Sequence, residues 1–427
     1  MQETKIITKL CGEIDPFSIE SYISRGGYQQ LLTYLKNIKT KKGKLKSRKR
    51  IMKIVKESGL CGRGGAGFPT GEKWRIAYKK AEKSQKPLYL IINGDESQPG
   101  TFKDRFLMKK NPHLIIEGIA IVAHVLGCKK VFIYINGTFK EELEIMRQAV
   151  TVAVKHKFLG SKTAGRKEGI KIKIVQGAGG YIYGEETTLI NSLEGNRGEP
   201  KIKPPFPPRS GYNNAPTVVN NIETIANIVP LLEMGVEKYQ KLSKGNSTGT
   251  KLFSVSGSVK NPGVFEFPLG VTLRDIVYGV CGGIEKGKRL AFVQVGGTGD
   301  FLSGKQLDYR LTYEEGKQKI PVGLGSILVV DKNVAIEDLI LSWSQFYARE
   351  SCGKCTPCRE GTYQLLKIAE RLKEKKLMER DYENIEDIIE VLEQTSLCPF
   401  GSFAAQPWKK VIKSYGEDFF TKRKRKK

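Results

Sequence analysis

The chain has 427 residues, a length that suggests about three domains. Apolar residues make up 39% and charged residues 27%, a balance that excludes a disordered or fibrous chain. With 72 Lys and Arg against 45 Asp and Glu the formal charge is +27, so the surface attracts anionic partners, while only 3 His argue against a His-based site.

The first 60 residues read as helical, with an amphipathic pattern over 18–37 and a basic stretch over 36–53. Residues 87–92 (PLYLII) form a short apolar strand, and 102–126 a helix that Pro112 breaks. Residues 131–135 (VFIYI) are a buried strand, 139–158 a helix, 170–175 (IKIKIV) a third strand, and 185–194 a helix after a Gly-rich turn. Strands alternating with helices imply a mostly parallel sheet with helices on both faces, an α/β Rossmann-like domain. The segment 201–208 (KIKPPFPP) is a proline-stiffened loop, and 217–234 reads as a helix. The polar linker 244–250 marks the first boundary, giving a domain over 1–248. Short strands at 252–256, 291–295 and 326–330, with one helix near 273–280, suggest a small α+β module over 249–334. Residues 335–427 are helical, at 336–348, 361–374, 382–395 and 404–415, and close on six basic residues at 422–427.

No stretch approaches the ~20 apolar residues of a membrane span, and the N-terminus lacks the apolar core of a signal peptide. These features point to a soluble, cytoplasmic chain. Eight Cys are too few for a disulfide scaffold, and four of them are clustered. In a reducing compartment such clustering means metal or redox chemistry.

The strongest motif is Cys352-x-x-Cys355-x-x-Cys358, completed by Cys398 in SLCPFG. Three thiolates at that spacing plus a distant fourth suit a four-iron cluster. Zinc sites usually pair their ligands two by two, and unrelated or zinc-binding thiols are the alternative. The loop Gly62-Arg63-Gly64-Gly65-Ala66-Gly67 matches G-x-G-x-x-G, but the segment before it looks helical, so the dinucleotide fingerprint lacks its strand. Its glycines still let backbone N–H groups approach a phosphate, with Arg63 and Lys73 supplying charge and a helix opening near Thr70. A purely structural turn fits the same residues equally well. Asn93-Gly94-Asp95-Glu96-Ser97-Gln98 follows the strand 87–92, in the usual ligand crevice of an open α/β sheet, or forms an Asp-rich turn. Gly177 to Glu186 again lies between strand and helix, where Glu185 and Glu186 bind sugar hydroxyls or favour the helix N-terminus. Asn220 and Asn221 offer amides to a flavin edge or cap a helix.

In this order, GRGGAGFPTGEKW, NGDESQPGTFKDR, GEETTLINSLEG, KPPFP, PTVVNNIET, SCGKCTPCREG and SLCPFG resemble the NADH-oxidising flavoprotein subunit of respiratory complex I, over about residues 50 to 410. The resemblance implies an α/β domain binding FMN and NADH, a ubiquitin-like β-grasp domain and a helical bundle carrying a 4Fe-4S cluster. NADH would give a hydride to FMN, and the reduced flavin would release electrons singly to the cluster. By motif, Gly62, Gly64 and Lys73 would serve the FMN phosphate, with Arg63, Gly65 and Gly67 in the same loop. Asn93, Asp95, Glu96, Ser97, Asn220, Asn221 and Thr224 would hold its ribitol and ring. Tyr181, Gly184, Glu185 and Glu186 would line the flavin and nicotinamide pocket, the two glutamates being the catalytic candidates. Phe68, Lys203 and Phe206 would contact the adenine end of NADH, and Cys352, Cys355, Cys358 and Cys398 would bind the cluster.

Two positions depart from the family pattern: Ile76 replaces a Phe, and Gln98 replaces a Glu. A Glu there could accept from a ribose 2′-hydroxyl and repel a 2′-phosphate, so Gln98 is expected to weaken discrimination against NADPH. The implied partners are a thioredoxin-like 2Fe-2S subunit and a large iron–sulfur subunit, in the peripheral arm of an inner-membrane complex. The alternative is the diaphorase subunit of an NAD-reducing hydrogenase or an NAD-dependent formate dehydrogenase. Those relatives often carry a further domain ahead of the flavin motifs, which here begin by residue 62, and this favours complex I. A nucleic-acid-binding protein would explain the basic runs, but no recognition module accompanies them.

Overall fold

The computed structural model describes residues 3–421 apart from 39, 161–162, 164–168, 244–246, 298 and 315; the basic tail at 422–427 lies outside the described residues. The N-terminal part forms helices α1 (Ile19–Ser24), α2 (Gln29–Asn37) and α3 (Lys41–Glu57). The amphipathic run over 18–37 is therefore two helices. Gly26 has a φ of 90°, and a Cβ on Gly27 would lie 2.1 Å from the Tyr22 ring, so glycine is required where the chain turns. Helix α4 (Thr70–Ser84) follows the Gly-rich loop and packs on α3.

Strands β1 (Tyr89–Gly94), β2 (Lys130–Ile135), β3 (Lys171–Gln176) and β4 (Thr217–Asn221) form a parallel sheet in the order β3-β2-β1-β4. Leu90, Ile91 and Ile92 are all buried, as a sheet covered on both faces demands. Between β1 and β2 lie α5 (Lys103–Lys110) and α6 (Pro112–Leu126), and α7 (Lys140–Lys155) follows β2. Pro112 starts α6 at a position where its missing N–H is harmless, and Asn111 Oδ1 accepts from Leu114 N at 3.3 Å. Helix α6 is buried on almost every side and forms the centre of the main core. Next come α8 (Glu186–Leu193), then α9 (Ile222–Ala226) and α10 (Ile228–Lys241) after β4.

The helix expected over 217–234 is corrected by β4. Thr217, Val218 and Val219 are β-branched and fully or almost fully buried, and they pair in parallel with β1, Leu90 opposite Val218 and Ile92 opposite Asn220. The helix begins only at Ile222, where the Asn221 side chain accepts from Glu223 N at 3.0 Å. This shift brings Asn220 and Asn221 to the carboxyl edge of the sheet, one strand from Asn93.

A second sheet, mixed in direction, has the order β6-β5-β10-β7, from β5 (Thr250–Gly257), β6 (Gly263–Pro268), β7 (Leu290–Val295) and β10 (Ser326–Asp331). A short pair, β8 (Arg310–Thr312) and β9 (Lys319–Pro321), lies beside it. One wide helical turn at Asp275–Val280 packs on this core, which includes Phe253, Phe267, Val293 and Ile327. Strand β6 also anchors the N-terminal segment. Glu266 is buried in it and accepts from the backbone N–H of Ile6, Ile7 and Thr8 at 2.8, 3.1 and 3.0 Å. Finally α11 (Ile336–Glu350), α12 (Thr356–Lys373), α13 (Asp381–Thr395) and α14 (Pro399–Tyr415) close around Ile340, Leu365, Ile385 and Trp408. Among the described residues no helix is long and apolar enough to cross a membrane.

Candidate functional site

Three polar segments meet at the carboxyl edge of the parallel sheet. Asn93 lies at the end of β1; its Nδ2 donates to the Gly184 carbonyl oxygen at 2.8 Å and its Oδ1 accepts from Asp95 N, in the loop that follows, at 3.0 Å. Asp95 is buried near the Asn136 side chain, Ser97 Oγ donates to its Oδ2 at 3.1 Å, and its Oδ1 makes no hydrogen bond of ordinary geometry. Burial pushes its carboxyl up to about 7. An orphaned, buried acceptor of this kind fits a ligand hydroxyl. Asn220 Oδ1 accepts from Trp74 Nε1 at 2.9 Å, which fixes the amide at the end of β4.

The Gly-rich loop between α3 and α4 is closed by Gly62 N donating to the Phe68 carbonyl oxygen at 2.9 Å. Gly65 and Gly67 have φ of 113° and 64°, so the loop takes a path that side-chain-bearing residues resist. Lys73, on the first turn of α4, donates to the Val219 carbonyl oxygen at 3.1 Å, and burial lowers the affinity of its amine for a proton. Arg63 does not point out of the loop. Its guanidinium is fully buried and donates to the Thr248 carbonyl oxygen at 2.7 Å, while its N–H donates to Thr224 Oγ1 at 2.8 Å. Thr224 thus supports the loop from below.

Beneath these segments lies a buried charge cluster that sequence reasoning missed. Glu223 Oε2 meets Lys251 Nζ at 2.6 Å and Lys103 Nζ at 2.9 Å, and its Oε1 accepts from Leu252 N at 2.8 Å. Lys103 also meets Asp104 Oδ1 at 2.8 Å, and Asn221 Nδ2 donates to Asp104 Oδ2 at 2.6 Å. Burial would raise the Glu223 carboxyl, but the two lysines outweigh it and hold it low. Burial drives Lys251 down to about 7 in spite of Glu223. Glu96 belongs to the same framework: its two oxygens accept from Asp104 N at 2.8 Å and Arg105 N at 3.0 Å, capping α5. The Gln98 amide, expected to face a nucleotide, donates to the Gly296 carbonyl oxygen in the second sheet module.

On the other side of the edge, Glu185 caps α8, its Oε2 accepting from Thr187 N at 2.9 Å and Thr188 N at 2.8 Å. Its Oε1 pairs with Lys203 Nζ at 2.7 Å, and Glu186 Oε1 lies 3.4 Å from the same amine. Burial favours the neutral Glu185, but the bonds to Lys203 and Thr187 win and keep its carboxyl below the usual range. Phe68 and Phe206 are exposed, each with a lysine near its ring: Lys73 Nζ is 6.0 Å from Phe68 and Lys203 Nζ 5.9 Å from Phe206. Such open aromatic faces suit a planar ligand.

The turn Tyr181–Gly184 runs from this edge to the cysteines. Tyr181 packs on Phe346 and Phe400, and Ile182, Tyr347, Cys358, Phe400 and Ala404 form an apolar cluster against which Cys352, Cys355 and Cys398 pack. Cys355 and Cys398 precede the first turns of α12 and α14, each followed by proline within two residues. Burial, then neighbouring thiols, push Cys358 up to about 12. Among the described residues no three ligating side chains converge tightly enough for a single metal ion. Four thiols on one apolar cluster, three of them at the Cys-x-x-Cys-x-x-Cys spacing, suit a larger body held at its corners.

The chain matches three families: the Nuo51 FMN-binding domain over residues 55–230, the SLBB domain over 252–299, and the NADH-ubiquinone oxidoreductase-F iron-sulfur binding region over 338–422. It is 39% identical over 411 residues to the F subunit of the NADH-quinone oxidoreductase of Aquifex aeolicus, covering 96% of this chain and 92% of that protein. It is 35% identical over 421 residues to the HndC subunit of the NADP-reducing hydrogenase of Solidesulfovibrio fructosivorans, covering 98% of this chain and 83% of that one. Among solved structures it is similar to a chain of the NAD+-reducing [NiFe]-hydrogenase in the H2-reduced state, with a TM-score of 0.80 and 34% identity. That alignment covers 87% of this chain and 62% of the hydrogenase chain.

Proposed function

The chain belongs to the family of NADH-quinone oxidoreductase F subunits, and from that membership we propose that it oxidises NADH by hydride transfer to FMN and passes electrons singly to a 4Fe-4S cluster. It is then the electron-input subunit of an NADH:quinone oxidoreductase. The bound flavin supplies the step between two-electron and one-electron chemistry. Hydride transfer needs no general acid, so the protein's residues bind, orient and exclude water.

In this reading the N–H groups of Gly64, Gly65 and Gly67, with Lys73 and the start of α4, take the FMN phosphate, while Gly62, whose N–H is engaged by the Phe68 carbonyl oxygen, shapes the loop and does not itself donate. Asn93, Asp95, Ser97, Asn220 and Asn221 hold the ribityl chain and ring, and Asp95 Oδ1 awaits a hydroxyl donor. Arg63, Glu96 and Thr224 act through the backbone they support. Glu185, kept ionised beside Lys203, and its neighbour Glu186 border the nicotinamide side. Phe68, Phe206 and Lys203 take the adenine end, and Gln98 adjoins it through the loop after β1. Cys352, Cys355, Cys358 and Cys398 hold the cluster.

The observation that carries this reading is the turn Tyr181–Gly184. Its last residue accepts from Asn93 at the flavin edge, and its first packs on the apolar cluster that carries the four thiols. One short, packed segment therefore links the residues proposed for the two cofactors, which supports electron transfer between them. The division of the chain at 248 and 334 follows the two sheets and the bundle. A mixed four-stranded sheet with one helical turn on its core supports a ubiquitin-like β-grasp middle domain. The partners in this proposal are a thioredoxin-like 2Fe-2S subunit and a large iron–sulfur subunit, in the cytoplasmic peripheral arm of the complex. The likeness to the hydrogenase chain favours a second reading, the diaphorase subunit of an NAD-reducing hydrogenase.

The absorption spectrum of the purified chain, loaded with FMN, iron and sulfide, tests the proposal. Flavin and iron–sulfur bands bleached by NADH are expected; failure to bind FMN, or bands indifferent to NADH, overturns it. Isolating the native complex separates the two readings: quinone reduction by NADH supports the first, and hydrogen-dependent NAD+ reduction the second.

A further inference from the structure

The Gly-rich loop is held from two sides. From the parallel sheet, the Asn221 side chain lies against Gly64, where an added Cβ would come within 3.2 Å of the Asn221 Cβ, and Thr224 accepts from Arg63 N. From the second sheet module, the Tyr313 ring lies directly on Gly67, where an added Cβ would meet its Cδ1 at 2.6 Å. The same ring faces the buried Arg63 guanidinium, 5.4 Å from its centroid, and Leu324 lies 3.7 Å from the Cβ position of Gly65. Thr248, just before β5, accepts from the other end of Arg63. The Tyr313 hydroxyl is buried beside the Arg63 guanidinium without a hydrogen bond of ordinary geometry, so the ring's shape is the larger part of what the loop feels.

We propose that the second sheet module shapes the phosphate loop, with Tyr313 as the positioning residue that fixes Gly67 and Arg63 from the face away from the sheet. This rests on the reading of that loop as the FMN phosphate site. A glycine-rich loop has many alternative paths when free, and every path but one misdirects its N–H groups. A ring wedged on Gly67 and stacked on Arg63 removes those alternatives before the ligand arrives, so affinity is gained without any contact between Tyr313 and the flavin. Leu324 at Gly65 and the Gln98 amide on Gly296 bind the same two modules together nearby.

The test uses the full chain with its cluster in place, stripped of flavin and titrated with FMN, whose fluorescence quenching gives Kd. Loss of preorganisation predicts that Tyr313→Ala weakens FMN binding roughly ten- to a hundredfold, while Tyr313→Phe stays within about twofold of the parent chain. Iron content should stay at the parent value in both. If Tyr313→Ala does not fold, Leu324→Ala decides, with an expected loss of about fivefold by the same argument. A folded Tyr313→Ala or Leu324→Ala chain with unchanged Kd overturns the proposal, as does a Tyr313→Phe chain as weak as Tyr313→Ala. A parent chain that binds no FMN would overturn the flavin reading itself, a result distinct from either.

Discussion

The charge cluster under the loop gives the sharpest test of the architecture, through Glu223→Gln. Glu223 is fully buried and is the carboxylate shared by Lys103 and Lys251. It sits on α9 in the parallel-sheet module, whereas Lys251 and Leu252 open β5 in the next one, so the pair also ties the modules together. Gln keeps an acceptor for Leu252 N but removes the charge. Lys103 retains Asp104 at 2.8 Å, while Lys251 keeps only the Leu252 carbonyl oxygen at 2.8 Å. Removing one partner of a buried pair usually costs about 3–5 kcal/mol. In a domain of this size that corresponds to a fall of roughly 6–20 °C in Tm.

The pH dependence follows from Lys251. Its amine is already lowered by burial to about 7 in the fold, against 10.5 when exposed. Above about 7 the folded chain sheds this proton while the unfolded chain still holds it. Folding then costs the difference, which shrinks as pH rises toward the unfolded value. Glu223→Gln lowers the folded value further, and this adds a penalty only below about 7, where the parent still keeps Lys251 charged. The gap in Tm between parent and Glu223→Gln should therefore be wider at about pH 6 than at about pH 8.5. Glu223→Gln combined with Lys251→Met should recover part of the loss, because no buried cation is left without a partner. Calorimetry of all the variants at both pH values decides. A Glu223→Gln chain melting with the parent, or a gap that widens as pH rises, refutes the reasoning.

Three further outcomes are expected. Cys398→Ala should lose the cluster even though its thiol comes from a helix start far along the chain from Cys358, since closing a longer loop costs little more than a shorter one; a variant with four irons and an unchanged low-temperature EPR signal removes Cys398 from the site. Lys203→Met, which strands Glu185 and Glu186 without their cation, should raise the KM for NADH about tenfold with kcat within about twofold, the scale of one charge-assisted bond; an unchanged KM takes Lys203 out of the nucleotide site. Gln98→Glu puts a carboxylate in place of the amide that donates to Gly296, and if the turned-away charge repels a 2′-phosphate, the ratio of kcat/KM for NADH over NADPH should rise by about 1–2 kcal/mol. An unchanged ratio with a lower Tm leaves Gln98 as a link between modules only.

The parts of the fold that were legible in the sequence are those whose signal is local. β1 and β2 show as short apolar runs bounded by turn residues, and Pro112 marks the break between α5 and α6 where a proline must lie. The cysteine spacing was legible for the same reason, since the residues bordering the thiol pocket follow a fixed local pattern. β4 was not, because Thr217–Asn221 runs straight into Ile222 with no glycine, proline or loop between strand and helix, and the combined run has helical length. The available signal was Asn221, a good helix cap followed by an acidic residue, which places the helix start there and leaves the β-branched residues before it to the sheet.

The supporting residues of the site were illegible for a different reason. Lys103, Glu223 and Lys251 look like ordinary surface charges, and only the packing of α5, α9 and β5 brings them together without water. Standing in a glycine loop, Arg63 reads as a phosphate ligand, yet the fold turns its guanidinium inward to Thr248 and Tyr313. Its charge stays under the loop and adds to the field there, but its geometry is spent on the loop's shape. Glycines and cysteines reveal themselves because few other residues can do what they do at those positions. A lysine or glutamate that holds such a loop from below has no pattern of its own, since a partner such as Asn221 lies 118 residues from Lys103 and is chosen by the fold. The motif thus marks where the ligand goes, while the two modules that grip the motif decide whether its N–H groups point there.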